Sequence, residues 1–289
     1  MKEQNRLCEK NWEPNFAACI PVIGLGTHVT PVFQSVRSQI EEKNRNRRYR
    51  EGMEAWWLWS FCQVSTGLKM NTGFAQESFK SADIFFLLVD TADETAVQNA
   101  EVIGRDATAL IITILLGDGG QDMKERIASA VDCFVDLRDV RLEQYKKQET
   151  VEQLAYLFIR SIMAPMEEQQ LVSMDFDDIQ QMFSHGGEIH MGIGEASFET
   201  SEDEAPKAAA EEALRGLKTQ CDLHAIQRSF LSLEYAEESV SILNIGEVVN
   251  AIHSVFSEDV DFIYNASISD DMKNRTLAVL LATEMPVSK

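Results

Sequence analysis

The stretch LVSMDFDDIQQMFSHGGEIHMGIGEAS, residues Leu171–Ser197, decides the fold of this chain more than any other part. The carboxylates of Asp175, Asp177 and Asp178 stand directly before a segment whose apolar residues repeat with a helical period. A helix start carries partial positive charge, so carboxylates stabilise it there, and a well-capped helix is sufficient to explain these acids. The sequence therefore predicts an acidic loop, a helix and the beginning of a second domain within this stretch.

The same stretch resembles the loop and following helix of the FtsZ branch of the tubulin superfamily, whose pattern is N-x-D-x-x-D. Asp175 and Asp178 occupy the two acidic positions, Ser173 stands in place of the asparagine, and Met191–Ser197 resembles the family's MGxGxAS strand end. In that family the loop reaches into the nucleotide site of the next subunit and positions a water that attacks the terminal phosphate of GTP. The resemblance implies that Asp175 and Asp178 are a catalytic pair that acts on a neighbouring subunit.

Composition is that of a soluble globular protein of one large or two ordinary domains. The 289 residues are 45% apolar and 25% charged, and no apolar run reaches the length of a membrane span. The N-terminus has no signal-peptide core, and the five cysteines form no C-x-x-C pair. We therefore expect a cytoplasmic protein with reduced thiols, no membrane insertion and no metal site.

The net charge of −21 predicts repulsion from nucleic acid, so no nucleic-acid partner is expected. One basic run, Lys43–Arg50, could contact the acidic face of a partner, or it could be the solvated end of a helix. Trp56, Trp57 and Trp59 could form an interaction patch, or their rings could be wedged between sheet and helix. His185 and His190 are spaced poorly for a metal and favour surface or packing roles.

The first predicted strand, residues 17–26, ends in Gly24 and Gly26, and a helix follows with Thr30 at its N-cap. A strand, glycines and a helix can present backbone N–H groups to a phosphate. The corresponding loop of the FtsZ family reads about GxGGGGxNA, whereas this chain has side chains from Thr27 to Thr30. Such side chains prevent the close approach that glycine permits.

The central strand, residues 83–90, departs from the family in the loop that follows it. The family has GGGTGTG there, and its amides hold the phosphates; this chain reads DTADETA from Asp90 to Ala96, without glycine. Thr91 and Glu94 have the spacing of a capping box. Asp90 and its acidic neighbours place negative charge where the family places phosphate. If phosphate nevertheless binds, we expect a divalent ion to offset these acids and the following residues to hold it: Gly24, Gly26, Thr27, Thr91 and Thr95.

Further strands at 108–116 and 132–137 alternate with helices, the pattern of a parallel doubly wound sheet. A turn is predicted at Gly117–Gly120. Residues 150–163 predict a buried helix that resembles the long central helix of the superfamily, ended by Pro165 and followed by an acidic linker, 166–170. The guanine-reading asparagine of the family aligns with Gln148 or Glu149.

The last part of the chain predicts a smaller α+β domain. Its expected elements are helices at Pro206–Leu217 and around 245–256, a short strand at Ser229–Leu233, and strands at Asp261–Ser267 and Thr276–Thr283. The turn between the last two strands, Ser269–Lys273, resembles the family's S-x-D-x-x-M turn.

The predicted fold is therefore α/β, with the two-domain architecture of the tubulin/FtsZ superfamily. It comprises a Rossmann-like domain with a parallel sheet, 1–147, a central helix and linker, 148–170, and a C-terminal α+β domain with a mixed sheet, 171–289.

Three functions follow as hypotheses. The first is an FtsZ-like assembly protein with lost or weakened GTP binding, without a cofactor, which contacts itself or another FtsZ-like protein head to tail. The second is an active GTPase that binds GTP or GDP with Mg²⁺ and forms filaments. The third is a scaffold that does not polymerise and uses only the surfaces of the fold.

Overall fold

The computed structural model describes residues 18–51, 57–73, 82–137, 150–172, 174–184, 187–198, 204–236 and 242–284. These residues form two compact units, and the division falls inside one helix. The first unit contains the described residues up to Leu137 together with Thr150–Tyr156, and the second contains those from Leu157 onward. The domain borders expected at 147 and 170 stay predictions.

The first unit is built on a parallel sheet with the strand order β2-β1-β3-β4-β5. Strands β3 and β4 are buried at every residue, as expected for central strands of a parallel sheet. The elements of this unit are β1 (Ala18–Leu25), α1 (Thr30–Glu51), β2 (Trp57–Val64), β3 (Ile84–Asp90), α2 (Glu94–Asp106), β4 (Leu110–Leu116), α3 (Gln121–Ala128) and β5 (Cys133–Asp136).

The second unit has a mixed sheet with the order β7-β10-β8-β9-β6. Strands β8 and β9 are parallel, whereas β10 runs antiparallel to β7 and β8, and β6 runs antiparallel to β9. Together the two sheets confirm the predicted α/β fold class. The remaining elements are α4 (Val151–Glu167), β6 (Gln169–Val172), α5 (Phe176–Phe183), β7 (Glu188–Ser197), α6 (Ala205–Leu217), β8 (Ile226–Tyr235), α7 (Ile242–His253), β9 (Asp261–Ile268), a short 3₁₀ turn (Asp270–Met272) and β10 (Arg275–Glu284).

The end of helix α4 corrects one expectation, because Pro165 lies inside the helix, which continues to Glu167. Proline in the last turn removes a single N–H donor, and the turn still closes through the Glu168 N–H, which donates to the Ala164 carbonyl at 2.9 Å. The predicted linker 166–170 is likewise wrong: it holds the helix end and the start of strand β6.

Strand β8 is ten residues long rather than the short Ser229–Leu233 segment expected. It lies between β9 and β10, and it pairs with both along most of its length. The turn after β9 therefore carries the chain across β8 instead of closing a hairpin. Burial on both faces explains why this strand lacks the alternation by which a half-exposed strand is recognised.

The glycines of the MGIGEAS segment allow strand β7 to lie directly against helix α6. A Cβ atom at Gly192 would come within 1.9 Å of the Ala213 carbonyl oxygen, and one at Gly194 within 1.9 Å of the Ala209 oxygen. The two glycines are two residues apart and share one face of the strand. The motif therefore has a packing role in this unit.

Candidate functional site

The carboxyl ends of β1, β3 and β4 meet at one edge of the first sheet, where Leu25 is in register with Val89 and Asp90 with Leu116. In open parallel sheets, ligands bind outside this edge. The loops that leave these three strands therefore form the candidate site of the first unit.

Asp90 is the centre of this edge, because its carboxylate is 1% exposed and accepts hydrogen bonds from two backbone amides. Oδ2 accepts from the His28 N–H at 3.2 Å, and Oδ1 accepts from the Ala92 N–H at 3.1 Å. The His28 side chain, 75% exposed, adds its Nδ1 at 2.8 Å from Oδ2. A buried carboxylate of the chain thus serves as the acceptor for amides at the ends of both β1 and β3.

Thr91 does not form the predicted capping box with Glu94. Its N–H and its hydroxyl both donate to the Leu116 carbonyl, at 2.7 and 2.8 Å, and the hydroxyl accepts from the Gly119 N–H at 2.9 Å. The side chain is 2% exposed, so it ties the β3 and β4 loops together from inside. Cross-strand partners have displaced the local capping interaction that the spacing suggested.

The N-cap of helix α2 is Asp93, two residues later than expected. Its Oδ1 accepts from the Thr95 N–H at 2.9 Å, while its buried Oδ2 has no hydrogen-bond partner in the described part of the chain. Asp93 thus adds a second carboxylate at this edge, and one donor of the first helical turn is already satisfied.

Three glycines of these loops are required by the close approach of Asp90 and Thr91. A Cβ atom at Gly26 would come within 2.6 Å of the Asp90 Cβ, and one at Gly117 within 2.5 Å of Asp90 Oδ1. A Cβ atom at Gly119 would meet the Thr91 carbonyl oxygen at 2.1 Å. Gly26 and Gly117 also have φ values of +96° and +78°, a region that favours glycine. The predicted turn at Gly117–Gly120 is therefore also a packing surface for Asp90 and Thr91.

The other residues predicted to hold phosphate have partners within the protein. Gly24 lies inside β1, where a Cβ atom would come within 2.9 Å of the Phe33 ring. The Thr27 hydroxyl is 2.7 Å from the Thr66 hydroxyl. The structure therefore brings Gly26, Thr27, Thr91 and Thr95 to one edge, with Gly24 two residues farther into the sheet.

Glu94, the first residue of α2, binds helix α3 rather than the strand ends. Arg126 Nη1 donates to both Glu94 oxygens, at 2.9 and 3.0 Å, and the same guanidinium forms two bonds to Glu101, at 2.8 and 3.0 Å. The hydrogen bond from Gln98, followed by that from Arg126, lowers the pKa of Glu94. This exposed cluster joins α2 to α3 and leaves the carboxylate ionised near neutral pH.

The acidic loop of the second unit forms a complete capping box at the start of α5. The Asp178 N–H donates to Asp175 Oδ1 at 3.0 Å, and the Asp175 N–H donates to Asp178 Oδ2 at 3.0 Å. Asp175 is exposed, and the box uses one oxygen of each carboxylate. The expected well-capped helix is confirmed, and the catalytic role of this pair stays a prediction.

Several predicted positions lie outside the described residues, namely Gln148, Glu149, Ser173 and His185. Trp56 is also outside them, as is the side chain of Trp57, whereas Trp59 is half-buried and stacks on Phe61 and Phe86 with ring centroids 6.5 and 6.3 Å apart. Within the described ranges, no group of three or more His, Cys, Asp or Glu side chains is placed to hold a metal ion. No helix in those ranges is long and apolar enough to cross a membrane.

The pairing of His28 with Asp90 was not found from the sequence. The two residues are 62 positions apart, and only the sheet brings them together. The available signal was the simultaneous replacement of glycine by a side chain in both loops, with an imidazole in one loop and a carboxylate in the other.

No protein-family model matches the chain. A curated relative, the cell division protein FtsZ of Haloferax mediterranei, is 21% identical over 232 residues. That match spans 73% of this chain but only 60% of the relative's length.

Solved structures give the fold more directly. An empty FtsZ dimer from M. jannaschii matches with a TM-score of 0.69 at 16% identity, over 93% of this chain and 89% of that one. The GTPγS-bound protofilament of CetZ2 from Haloferax volcanii matches with a TM-score of 0.61 at 10% identity, over 94% and 95% of the two chains. Likeness at this level of identity extends to the architecture of both units.

Proposed function

We propose that this chain, a member of the FtsZ/tubulin superfamily by its fold, is an assembly protein that binds nucleotide weakly or not at all and acts through contacts between subunits. The single observation that carries the proposal is the buried Asp90 carboxylate, which accepts from the His28 and Ala92 amides.

A phosphate at this edge needs backbone N–H groups that point outward and lack acceptors. The N–H groups of His28, Ala92 and Gly119 instead donate to side chains of the chain itself. Asp90 and Asp93 add negative charge at the same place, and a second anion near them would be repelled. The residues of these loops therefore do not fit the phosphates of a nucleoside triphosphate.

The relatives support assembly as the remaining function. The matched FtsZ of M. jannaschii is a dimer, and the matched CetZ2 is a protofilament. For this chain, we propose head-to-tail contact with itself or with another FtsZ-like protein, with the exposed acidic loop around Asp175 at the contact. Such a heterologous contact generates open filaments when its rotation does not close.

A calorimetric titration with GTP and Mg²⁺ tests the nucleotide part of the proposal. The wild-type protein should show no binding heat, whereas Asp90→Ala should bind measurably because two amides lose their internal acceptor. The matched control is Asp136→Ala, which removes another buried strand-end carboxylate, one that lies 3.8 Å from Lys124. Tight GTP binding by the wild type would overturn the proposal, and an unchanged Asp90→Ala would refute the stated cause.

Sedimentation with a GTP-hydrolysing FtsZ tests the assembly part. The chain should pellet with the partner's polymers, and Asp175→Lys should reduce the pelleted fraction more than Glu211→Lys, which changes another exposed carboxylate of the second unit. Absence of both co-sedimentation and self-association would contradict this part.

The exposed capping box favours one further activity, completion of GTP hydrolysis in the site of an active neighbour. The box leaves one oxygen of Asp175 and one of Asp178 outside the two capping bonds. If this activity exists, adding the chain should change the GTP turnover of an active FtsZ, and Asp178→Asn should abolish the change. Asp177→Asn should leave it intact, since Asp177 lies in the first turn of the same helix but takes no part in the box.

A further inference from the structure

We infer that strand β9 binds an extended, cationic segment of a partner protein through its outer backbone edge, Asp261–Tyr264, named here the β9 edge. The inference does not depend on the nucleotide state of the first unit, because every residue that carries it lies in the second unit.

The β9 edge has a strand on one side only. Strand β8 pairs with β9 along its whole length, from Asp261 to Ile268. Strand β6 reaches only the last part of the other side, with its final pair between Val172 and Ala266. Within the described residues, the outer N–H and C=O groups of Asp261–Tyr264 therefore have no strand partner, and the next residue, Asn265, is buried.

The sequence of the β9 edge favours strand pairing. Phe262, Ile263 and Tyr264 are β-favouring residues, and each is half-buried. Exposed edges are normally blocked by lysine, proline or a bulge. None of these three devices lies within Asp261–Tyr264, and the register shift on this side falls between Gln170 and Val172 of β6.

An aromatic surface lies beside the β9 edge. The Phe262 ring stacks on His253 at a centroid distance of 5.1 Å and contacts the rings of Phe256 and Tyr264 at 6.1 and 6.4 Å. Strand addition uses main-chain hydrogen bonds for affinity and alternate side chains for specificity. Alternate apolar side chains of an incoming strand would pack on this cluster.

Charge selects the kind of partner. Glu258 and Asp259 are exposed just before the strand, and the Asp261 side chain is 44% exposed. Arg228 Nε lies 3.9 Å from Asp261 Oδ2 and its side chain is 22% exposed, and Gln181 of helix α5 donates to the same oxygen at 3.3 Å. Asp261 Oδ1 and the carboxylates of Glu258 and Asp259 are the groups that would meet a cationic segment. A segment with lysine or arginine at the end beside Asp261 complements this surface. A second copy of the chain, with its net charge of −21, would be repelled.

Hydrogen–deuterium exchange with a defined peptide tests the inference. The probe is a fluorescein-labelled peptide of alternating valine and threonine that ends in two lysines, added to the full chain. Fluorescence anisotropy measures the affinity for the peptide, and hydrogen–deuterium exchange identifies the residues that the peptide covers. Those amides of Asp261–Tyr264 that point away from β8 should become protected. A peptide with proline at the central valine should bind at least about 10-fold more weakly, because it lacks a donor and cannot extend the ladder.

Charge variants provide the matched control. Glu258→Lys combined with Asp259→Lys should weaken the lysine peptide by about 5-fold or more at low salt, as expected for lost electrostatic complementarity. Glu211→Lys, on the exposed side of α6, should change nothing. Both variants alter exposed side chains, so folding is preserved.

Three results would overturn the inference. They are an unprotected β9 edge, equal affinity for the proline peptide, and protection that rises with protein concentration in the absence of peptide. The last result would mean that a second copy of the chain occupies the edge. Tight GTP binding by the first unit would refute the proposed function and leave this inference untouched.

Discussion

At the scale of single residues, glycine has opposite effects in strand β7 and helix α7. A Cβ atom at Gly192 would overlap the Ala213 carbonyl oxygen, whereas one at Gly246 has nothing within 4 Å. Gly192→Ala should therefore destabilise the protein by about 1–3 kcal/mol through overpacking. Gly246→Ala should stabilise it by about 0.5–1 kcal/mol, because alanine has the higher helix propensity and restricts the unfolded chain.

Urea unfolding of both variants measures this difference. Both variants add one methyl group to the second unit. Gly192→Ala should lower the urea midpoint of unfolding, and Gly246→Ala should raise it. A Gly192→Ala midpoint equal to that of the wild type would mean that β7 and α6 are not packed backbone to backbone.

The position of Asp90 could be predicted from the sequence, but its hydrogen-bond partners could not. The sequence indicated that acids replace glycine after β3, and it placed Asp90 where the family places phosphate. The acceptor role of Asp90 depends on His28, which reaches it only through the pairing of β1 with β3. The capping box of Thr91 failed for the same reason, since its hydroxyl is used by the Leu116 carbonyl across the sheet. Local spacing cannot report partners supplied by another strand.

At the scale of elements, helix α5 depends on its capping box. Asp175→Ala removes the acceptor for the Asp178 N–H and should cost about 1 kcal/mol of stability. Asp178→Ala removes the reciprocal bond, and the double variant should cost less than the sum of the two, because each residue completes the other's cap.

Asp177→Ala is the matched control for this box. Asp177 lies in the same first turn but only interacts with the helix dipole, so its loss should cost about 0.3 kcal/mol. The three single variants and the double variant are compared by urea unfolding at neutral pH and moderate salt. An equal loss of stability in the three single variants would show that negative charge at the helix start, rather than the capping box, stabilises α5.

Most elements followed from periodicity and end signals. The fully buried strands β3 and β4 were predicted within two residues of their bounds, because each is an almost unbroken run of apolar residues. Strand β6 was missed, since Gln169–Val172 is short, partly exposed and exists only through pairing with β9. Pro165 was wrongly predicted to end the helix, because a proline in the last turn removes only one N–H donor.

At the scale of the whole molecule, a buried ion pair joins α4 to the second sheet. Arg160 donates from Nε to both Glu234 oxygens, at 3.0 and 2.9 Å, and from Nη2 to the Ser269 hydroxyl at 3.0 Å. Arg160 is 8% exposed and Glu234 is 1% exposed. Arg160→Met should therefore cost about 3–5 kcal/mol, because it leaves a buried carboxylate without its cation.

Replacing both partners should recover much of that loss, so Arg160→Met with Glu234→Leu should be more stable than Arg160→Met alone. The control is Arg275→Met at the pair with Glu195, whose side chains are 40% and 29% exposed; its cost should stay below about 1 kcal/mol. Thermal unfolding of the wild type, Arg160→Met, the double variant and Arg275→Met measures these differences in stability. Similar losses of stability at the buried and exposed pairs would mean that burial does not set the cost of removing the arginine.

The architecture was accessible from the sequence, whereas the activity was not. Ordered motifs such as MGIGEAS and the acidic loop led to the two-unit fold. The nucleotide question depends on where a few N–H groups point, at His28, Ala92 and Gly119, and backbone direction leaves no mark in composition or spacing.

The nucleotide content of the purified protein shows directly whether the loops after β1, β3 and β4 hold a nucleotide. The protein is denatured, and the released guanine and adenine nucleotides are separated by anion exchange and counted per chain. We expect the protein to carry no nucleotide and to stay empty after incubation with GTP and Mg²⁺. Near-stoichiometric GDP or GTP would contradict this expectation and would make Asp175 and Asp178 the first residues to test as a catalytic pair.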